Sequence, residues 1–200
     1  MDITLIPANE YHRERWKNGL GWTREIVRWP AGPGEWDWRL SIAEVDKDAP
    51  FSRFPGVDRE LVLLAGEGMR LVFDDGESVD LLPPHDRLRF SGERDLHAEL
   101  ISGPTQDFNL MWRRERVDAS LLHRPLVGPM LFFPEPGVTW AVYVMAGRAV
   151  FKVQRSPMVL EQGDTALIAA APGSARRVIL EGGGELLLAR IQARPPSIRT

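Results

Sequence analysis

Three short segments place polar side chains at alternating positions among strand-forming residues. A β-strand sends successive side chains to opposite faces, so such spacing collects polar groups on one side. In Thr23-Arg24-Glu25-Ile26 the parity sets Thr23 with Glu25; in Trp38-Arg39-Leu40-Ser41-Ile42 it sets Arg39 with Ser41. In Asp107-Phe108-Asn109-Leu110-Met111-Trp112 it sets Asp107, Asn109 and Met111 together. If these faces look into one interior, Glu25, Arg39, Ser41, Asp107 and Asn109 form a cluster; if they look outward, they are a solvated surface. An interior cluster must pair internally, because an isolated buried charge is costly whereas a hydrogen-bonded Arg–carboxylate pair is tolerated. A gap in such a network suits a ligand carboxylate or amide.

Two further segments could complete a site. In Arg15-Trp16-Lys17-Asn18-Gly19-Leu20-Gly21-Trp22, the glycines near Asn18 permit a sharp turn and a close approach of backbone to ligand, or simply an ordinary hairpin turn. In Phe51-Ser52-Arg53-Phe54-Pro55-Gly56-Val57-Asp58-Arg59, aromatic residues could roof a cavity and Arg59 could offer a planar fork to an acid; the same stretch also reads as a Pro-Gly turn with exposed charges. Glu25 or Asp107 could act as general base if desolvation raised its pKa, but no motif positions a nucleophile, and no residue is assigned a catalytic role.

The elements that must position these residues are strands. Sixteen prolines and eighteen glycines interrupt short aliphatic runs, and no window keeps a helical apolar period beyond two turns. Twelve runs, from Thr23–Trp29 to Glu185–Ile191, read as strands, so the chain is mainly β. The chain also repeats itself. Leu63-Leu64-Ala65-Gly66 before Met69–Phe73 matches Val144-Met145-Ala146-Gly147 before Ala149–Val153, and both read as hairpins turning on Ala-Gly. Asp86, a short strand and Ser91-Gly92 in the first copy follow the same order as Gly163-Asp164, a strand and Pro172-Gly173 in the second. Two similar units are expected, residues 1–114 and 115–193, with Pro125–Gly137 near the join, a second-unit strand starting as early as Val117–Leu122, and a loose tail over 194–200.

Composition narrows the function. At 200 residues and 44% apolar content the chain can bury a real core. A net charge of −3 with scattered Lys and Arg argues against a nucleic-acid partner. No apolar run is long enough for a membrane span and the first residues, with Asp2, do not resemble a signal peptide, so a cytoplasmic location is expected. Zero cysteines remove disulfides, thiolate metal sites and cysteine nucleophiles.

The Ala-Gly turn, Gly-Asp, strand and Pro-Gly pattern resembles a cupin half, and its repetition resembles a bicupin: two cupin-like antiparallel β-barrels of jelly-roll type in one chain. The usual cupin metal set of closely spaced histidines, a glutamate and a later histidine is missing. There is no His-x-His; His12, His85, His97 and His123 lie in separate segments; and Ala175-Arg176-Arg177 follows Pro172-Gly173. No metal and no cofactor is expected. Trp16-Lys17-Asn18-Gly19, Gly21-x-Thr23-Arg24-Glu25-Ile26, Trp38-Arg39-x-Ser41-Ile42-Ala43, Phe51-Ser52-x-Phe54-Pro55-Gly56-x-x-Arg59 and Asp107-Phe108-Asn109-x-Met111 together resemble the HutD/Ves family, over about Ile6 to Ile191. The second half carries only general cupin features.

The resemblance implies a metal-free bicupin with a polar pocket in its N-terminal barrel. It implies a protein that moderates histidine utilisation by sensing urocanate, formiminoglutamate or formylglutamate, or one tied to stress responses. The ligand-binding candidates are then Trp16, Asn18, Gly19, Thr23, Glu25, Arg39, Ser41, Phe54, Arg59, Asp107 and Asn109. Arg39 or Arg59 would meet a carboxylate and Glu25 a cationic or NH-bearing group. The alternatives are an acid–base enzyme using Glu25 or Asp107, or an interaction module presenting Trp and Phe. Monomer and dimer both remain open.

Overall fold

A computed structural model describes residues 2–153, 157–170 and 177–195. In chain order the strands of the first half are β1 (Asp2–Ile6), β2 (His12–Arg15), β3 (Gly21–Trp29), β4 (Trp38–Val45), β5 (Ala49–Pro50), β6 (Val57–Ala65), β7 (Met69–Phe73), β8 (Ser78–Leu81), β9 (Arg87–Ser91), β10 (Leu96–Leu100) and β11 (Thr105–Arg113). The second half adds β12 (Val117–Leu126), β13 (Met130–Phe132), β14 (Val138–Phe151), β15 (Met158–Glu161), β16 (Thr165–Ala169) and β17 (Val178–Ala193). Among the described residues the one helical element is a short 3-10 turn at Ala8–Glu10, and no helix is long and apolar enough to cross a membrane. The protein is mainly β, as its sequence indicates.

Two compact units divide the chain. Residues Tyr11–Arg116 form one; the described residues of Met1–Glu10 and Val117–Thr200 form the other. In the Tyr11–Arg116 unit, a six-stranded sheet runs β2-β3-β4-β11-β6-β9 and a four-stranded sheet runs β5-β10-β7-β8. Alternation builds the core: in Met69-Arg70-Leu71-Val72-Phe73 the odd positions are buried and Arg70 is exposed. Met69, Leu71, Phe73, Leu81, Leu96 and Ala98 of the smaller sheet cluster with Leu61 and Phe90 of the larger. Each fully buried side chain of leucine size contributes roughly 1.5–3 kcal/mol. That apolar packing occupies the β6–β9 side of the large sheet's face, and the β3-β4-β11 side carries the polar residues.

In the other unit a sheet runs β1-β16-β14-β17-β12, with β13 joined to β17 and β15 to β14. Its core is aliphatic, with Val142, Val144, Leu160, Ile168, Leu186 and Leu188 at its centre.

The structure changes several sequence expectations. Residues 2–10, assigned by sequence to the N-terminal unit, belong to the other one: β1 pairs antiparallel with β16, and the Asp164 carboxylate accepts the Ala8 N–H at 2.8 Å. A strand of alternating exposure such as β1 carries no label for its partner. The join lies between Arg116 and Val117, two residues from the expected 114/115 boundary and at the early strand start expected at Val117–Leu122, whereas Pro125 sits inside β12 and not near the join. Neither Ala-Gly step is a hairpin. Gly147 lies within the single strand β14, next to a register shift between Val144 and Ala146, and Gly66 leads from β6 into β7, which belongs to the other sheet. Both glycines have positive φ, 95° at Gly66 and 81° at Gly147, so each bends the chain at a sheet corner.

The repeat itself has a physical counterpart. The Leu63 N–H donates to the Asp86 carbonyl and the Val144 N–H to the Asp164 carbonyl, each at 3.0 Å. At the chain's end Arg194 hydrogen-bonds Asp118, so the segment expected to be loose from 194 begins tethered. Residues 196–200, and the Pro172-Gly173 and Ala175-Arg176 positions read for a missing histidine, lie outside the described residues.

Candidate functional site

The inner face of β3-β4-β11-β6 is a grid whose rungs follow from register. Thr23, Ala43, Asp107 and Leu63 form one rung; Glu25, Ser41, Asn109 and Leu61 the next; Arg28, Arg39, Met111, Arg59 and Phe90 the third. A cavity of about 440 Å³ opens over this face, lined among others by Trp16, Thr23, Arg39, Ser41, Arg59 and Asn109.

The rim is built by the β2–β3 turn. The Trp16 N–H donates to the Gly21 carbonyl at 3.0 Å, the Gly19 N–H donates to the Trp16 carbonyl at 2.9 Å, and the Asn18 side-chain oxygen accepts from the Leu20 N–H at 3.1 Å. Gly19 has φ +73°, which the turn requires. Gly21 permits a close approach instead: a Cβ there would lie 2.4 Å from the Glu44 carbonyl oxygen and 3.0 Å from the Trp16 ring. The Trp16 indole therefore lies against the strand and donates to the Thr23 hydroxyl at 2.8 Å, forming a wall. The opposite side is the Phe51–Gly56 loop, held by Phe51 N–H to Leu96 carbonyl at 3.0 Å and Phe54 N–H to Gly92 carbonyl at 2.7 Å.

Three charged groups define the electrostatics. Glu25 accepts from Arg28 Nε at 2.6 Å and Nη2 at 2.5 Å, and from Arg39 Nε at 2.7 Å. Burial pushes its pKa up, but hydrogen bonds and charge from Arg28 and Arg39 outweigh this and hold it below the usual carboxylate range. Arg59 is only 5% exposed, and its guanidinium carbon lies 5.1 Å from the Phe51 ring centre, 5.6 Å from Phe54 and 5.2 Å from Phe90. Burial lowers its pKa to about 10, so it stays cationic at neutral pH. Among the described residues its one hydrogen bond is a long one, from Nη1 to the Ser52 carbonyl at 3.5 Å, and its Nε has no partner. Asp107 is 0% exposed, and neither carboxylate oxygen has a hydrogen-bond partner among the described residues. Burial raises its pKa to about 7 against the opposing pull of Arg59.

The sequence candidates sort into three positions. Trp16, Asn18, Thr23, Arg39, Ser41, Phe54, Arg59 and Asn109 line the cavity. Gly19 shapes its rim, and Glu25 and Asp107 stand in the same grid behind the lining. Asn18 spends its side-chain oxygen on the turn and Arg39 its Nε on Glu25, so both are partly committed to structure.

Arg28 was missed by parity. A register shift between Glu25 and Val27 inserts Ile26 and turns Arg28 to the face of Glu25; no feature of Glu25-Ile26-Val27-Arg28 signals a bulge. Glu14, Arg15 and Lys17 at the mouth, and Phe51 and Ser52 in the loop, also line the cavity. Four cationic lining side chains, Arg15, Lys17, Arg39 and Arg59, face one carboxylate, Glu14, so the cavity favours an anion.

Comparison with known proteins gives a consistent result. The sequence model of HutD matches residues 8–188. A 21.2 kDa protein in the hutC 3′ region of Pseudomonas putida is 42% identical over 121 residues, 60% of this chain and 63% of that protein. Protein Ves of Escherichia fergusonii is 39% identical over 115 residues, 56% of each chain. The match thus spans roughly three fifths of the length of these curated relatives. The solved structure of HutD from Pseudomonas fluorescens SBW25, in a formate condition, superposes with a TM-score of 0.81 at 32% identity, covering 97% of this chain and all of that one. The resemblance carried by the Trp16–Gly19, Thr23–Ile26 and Asp107–Met111 motifs holds across the fold, and this chain belongs to the HutD family.

Proposed function

We propose that the protein binds a small polar acid in the cavity of the Tyr11–Arg116 unit, without a metal, and that it senses or moderates histidine utilisation in the cytoplasm. The observation that carries this reading is Arg59: a cationic guanidinium, buried among three phenylalanines, lining the cavity and lacking a hydrogen-bonded carboxylate among the described residues. A planar fork in a desolvated cavity is a strong receptor for a carboxylate. Asn109, Ser41 and Arg39 would supply further hydrogen bonds. The hutC-region relative directs attention to acids of histidine breakdown: urocanate, formiminoglutamate and formylglutamate. Both units are read as cupin-like barrels, with the ligand in the first.

Acid–base catalysis has weaker support. Glu25 is held ionised by two arginines, which makes it a poor base, and the carboxylate oxygens of Asp107 are inaccessible from the cavity.

The test is a thermal-shift screen with these acids, followed by calorimetry. Ligand at ~100 times its dissociation constant should stabilise the protein by about 2.7 kcal/mol. At the same ligand concentration the gain should fall to about 0.9 kcal/mol in a folded Arg59→Met variant. Absence of stabilisation by every acid in the panel overturns the reading.

A further inference from the structure

Behind the cavity lining stands a buried carboxylate, Asp107. Asp107 is fully buried, and both its oxygens lack hydrogen-bond partners among the described residues. On its own strand the inward neighbours are Thr105 and Asn109, which do not titrate; its rung neighbours are Ala43 and Leu63. The charges facing it from adjoining strands are few. Arg39 on β4 and Arg28 on β3 are already paired with Glu25. In the smaller sheet, Arg70, His97 and Glu99 are exposed, whereas Leu71 and Ala98 are the buried residues. Arg59 on β6 is the cation whose field reaches Asp107, and it is also the cation that faces the cavity.

Each charge therefore compensates the other without a direct hydrogen bond, and a bound carboxylate would compete with Asp107 for the same guanidinium. Resting on the acid-binding reading above, we propose that the cavity takes up its carboxylate ligand together with one proton from solvent, which Asp107 receives. The equilibrium balances as ligand anion, one proton and the Asp107 carboxylate giving the ligand held at Arg59 beside a neutral Asp107 carboxyl. The physical cause is that ligand charge neutralises Arg59, leaving the buried carboxylate with no opposing field and a full desolvation cost. In the free protein burial already brings the group close to its protonated form near neutrality, so little extra perturbation is needed. The consequence is regulation by pH: the cavity holds acids more tightly on the acidic side of neutrality.

The experiment is calorimetry with formylglutamate and with glutarate, neither of which titrates in the range used. Affinity should be nearly constant below about pH 7 and fall by up to roughly tenfold per pH unit above it. At about pH 7.5, the apparent binding enthalpy should vary with the ionisation enthalpy of the buffer, reporting up to one proton taken up. Asp107→Asn, neutral and of similar volume, should remove both effects while retaining binding. The buffer comparison needs no substitution, so it decides the matter even if that variant fails to fold. Binding that is independent of pH and buffer overturns proton uptake and leaves acid binding intact. Heats absent for both acids at every pH overturn acid binding and the proton coupling with it.

Discussion

Strands β11 and β17 hold matching places in the two units, yet carry opposite chemistry. The shared hydrogen bonds at Leu63 and Val144 set the correspondence, and the registers extend it. Asp107 faces Leu63 as Leu186 faces Val144; Asn109 faces Leu61 as Leu188 faces Val142; Arg59 faces Met111 as Trp140 faces Arg190. In the Val117 unit these places hold leucines within an aliphatic core, and Trp140 packs edge-on to Phe132 at 5.7 Å. In the Tyr11–Arg116 unit they hold a carboxylate, an amide and a guanidinium with unsatisfied atoms. The backbone accepts leucine at both positions, so the fold does not demand the polar set. Its stability cost is retained where the cavity is, which is the pattern expected of a binding site.

The sharpest way to break this comparison is to move the polar chemistry to the other unit. Leu186→Asp buries a carboxylate in an aliphatic core, and urea unfolding should show a loss of about 5 kcal/mol. A much smaller loss would mean that the two interiors differ less than the register implies. The converse change should help. The folded-state value of Asp107 is raised, so folding favours its protonated form; the penalty is absent at low pH, accumulates as pH climbs from about 4 to 7, and then levels off. Asp107→Asn should therefore be more stable than the parent by ~2–4 kcal/mol at alkaline pH and no more stable at about pH 4. Unfolding curves at the two pH values measure this.

Arg59→Met keeps the phenylalanine box filled and removes the cation. It should weaken acid binding by about 2 kcal/mol, roughly thirtyfold in Kd, in calorimetry. The matching Trp140→Phe change should leave binding unaltered. The smallest expected effect is at the wall: Thr23→Val leaves the Trp16 indole N–H without its acceptor and should cost about 1 kcal/mol in thermal unfolding.

Much of the site was legible because a strand's period of two is set by chain geometry alone. Parity placed Arg39 with Ser41, and Asp107 with Asn109 and Met111, and register keeps those groups on one face. It failed at Arg28, where the shift after Glu25 reverses the parity of the rest of β3. The hairpin reading failed at Gly66 and Gly147, since a glycine that closes a hairpin and one that bends a strand around a corner look the same in sequence. The order of motifs identified the family and the repeat, because both are properties of linear spacing.

The sequence by itself determined the β class, the repeated order of turns, the family and the identity of most polar side chains facing one way. Tertiary structure decided the rest: that β1 joins the second unit, that Glu25 is spent on two arginines, and that Arg59 and Asp107 oppose each other without touching. Those outcomes depend on which strands lie side by side and on how far water is excluded. Hydrogen-bond satisfaction and desolvation are properties of a closed three-dimensional environment and have no counterpart in the spacing of residues along a chain.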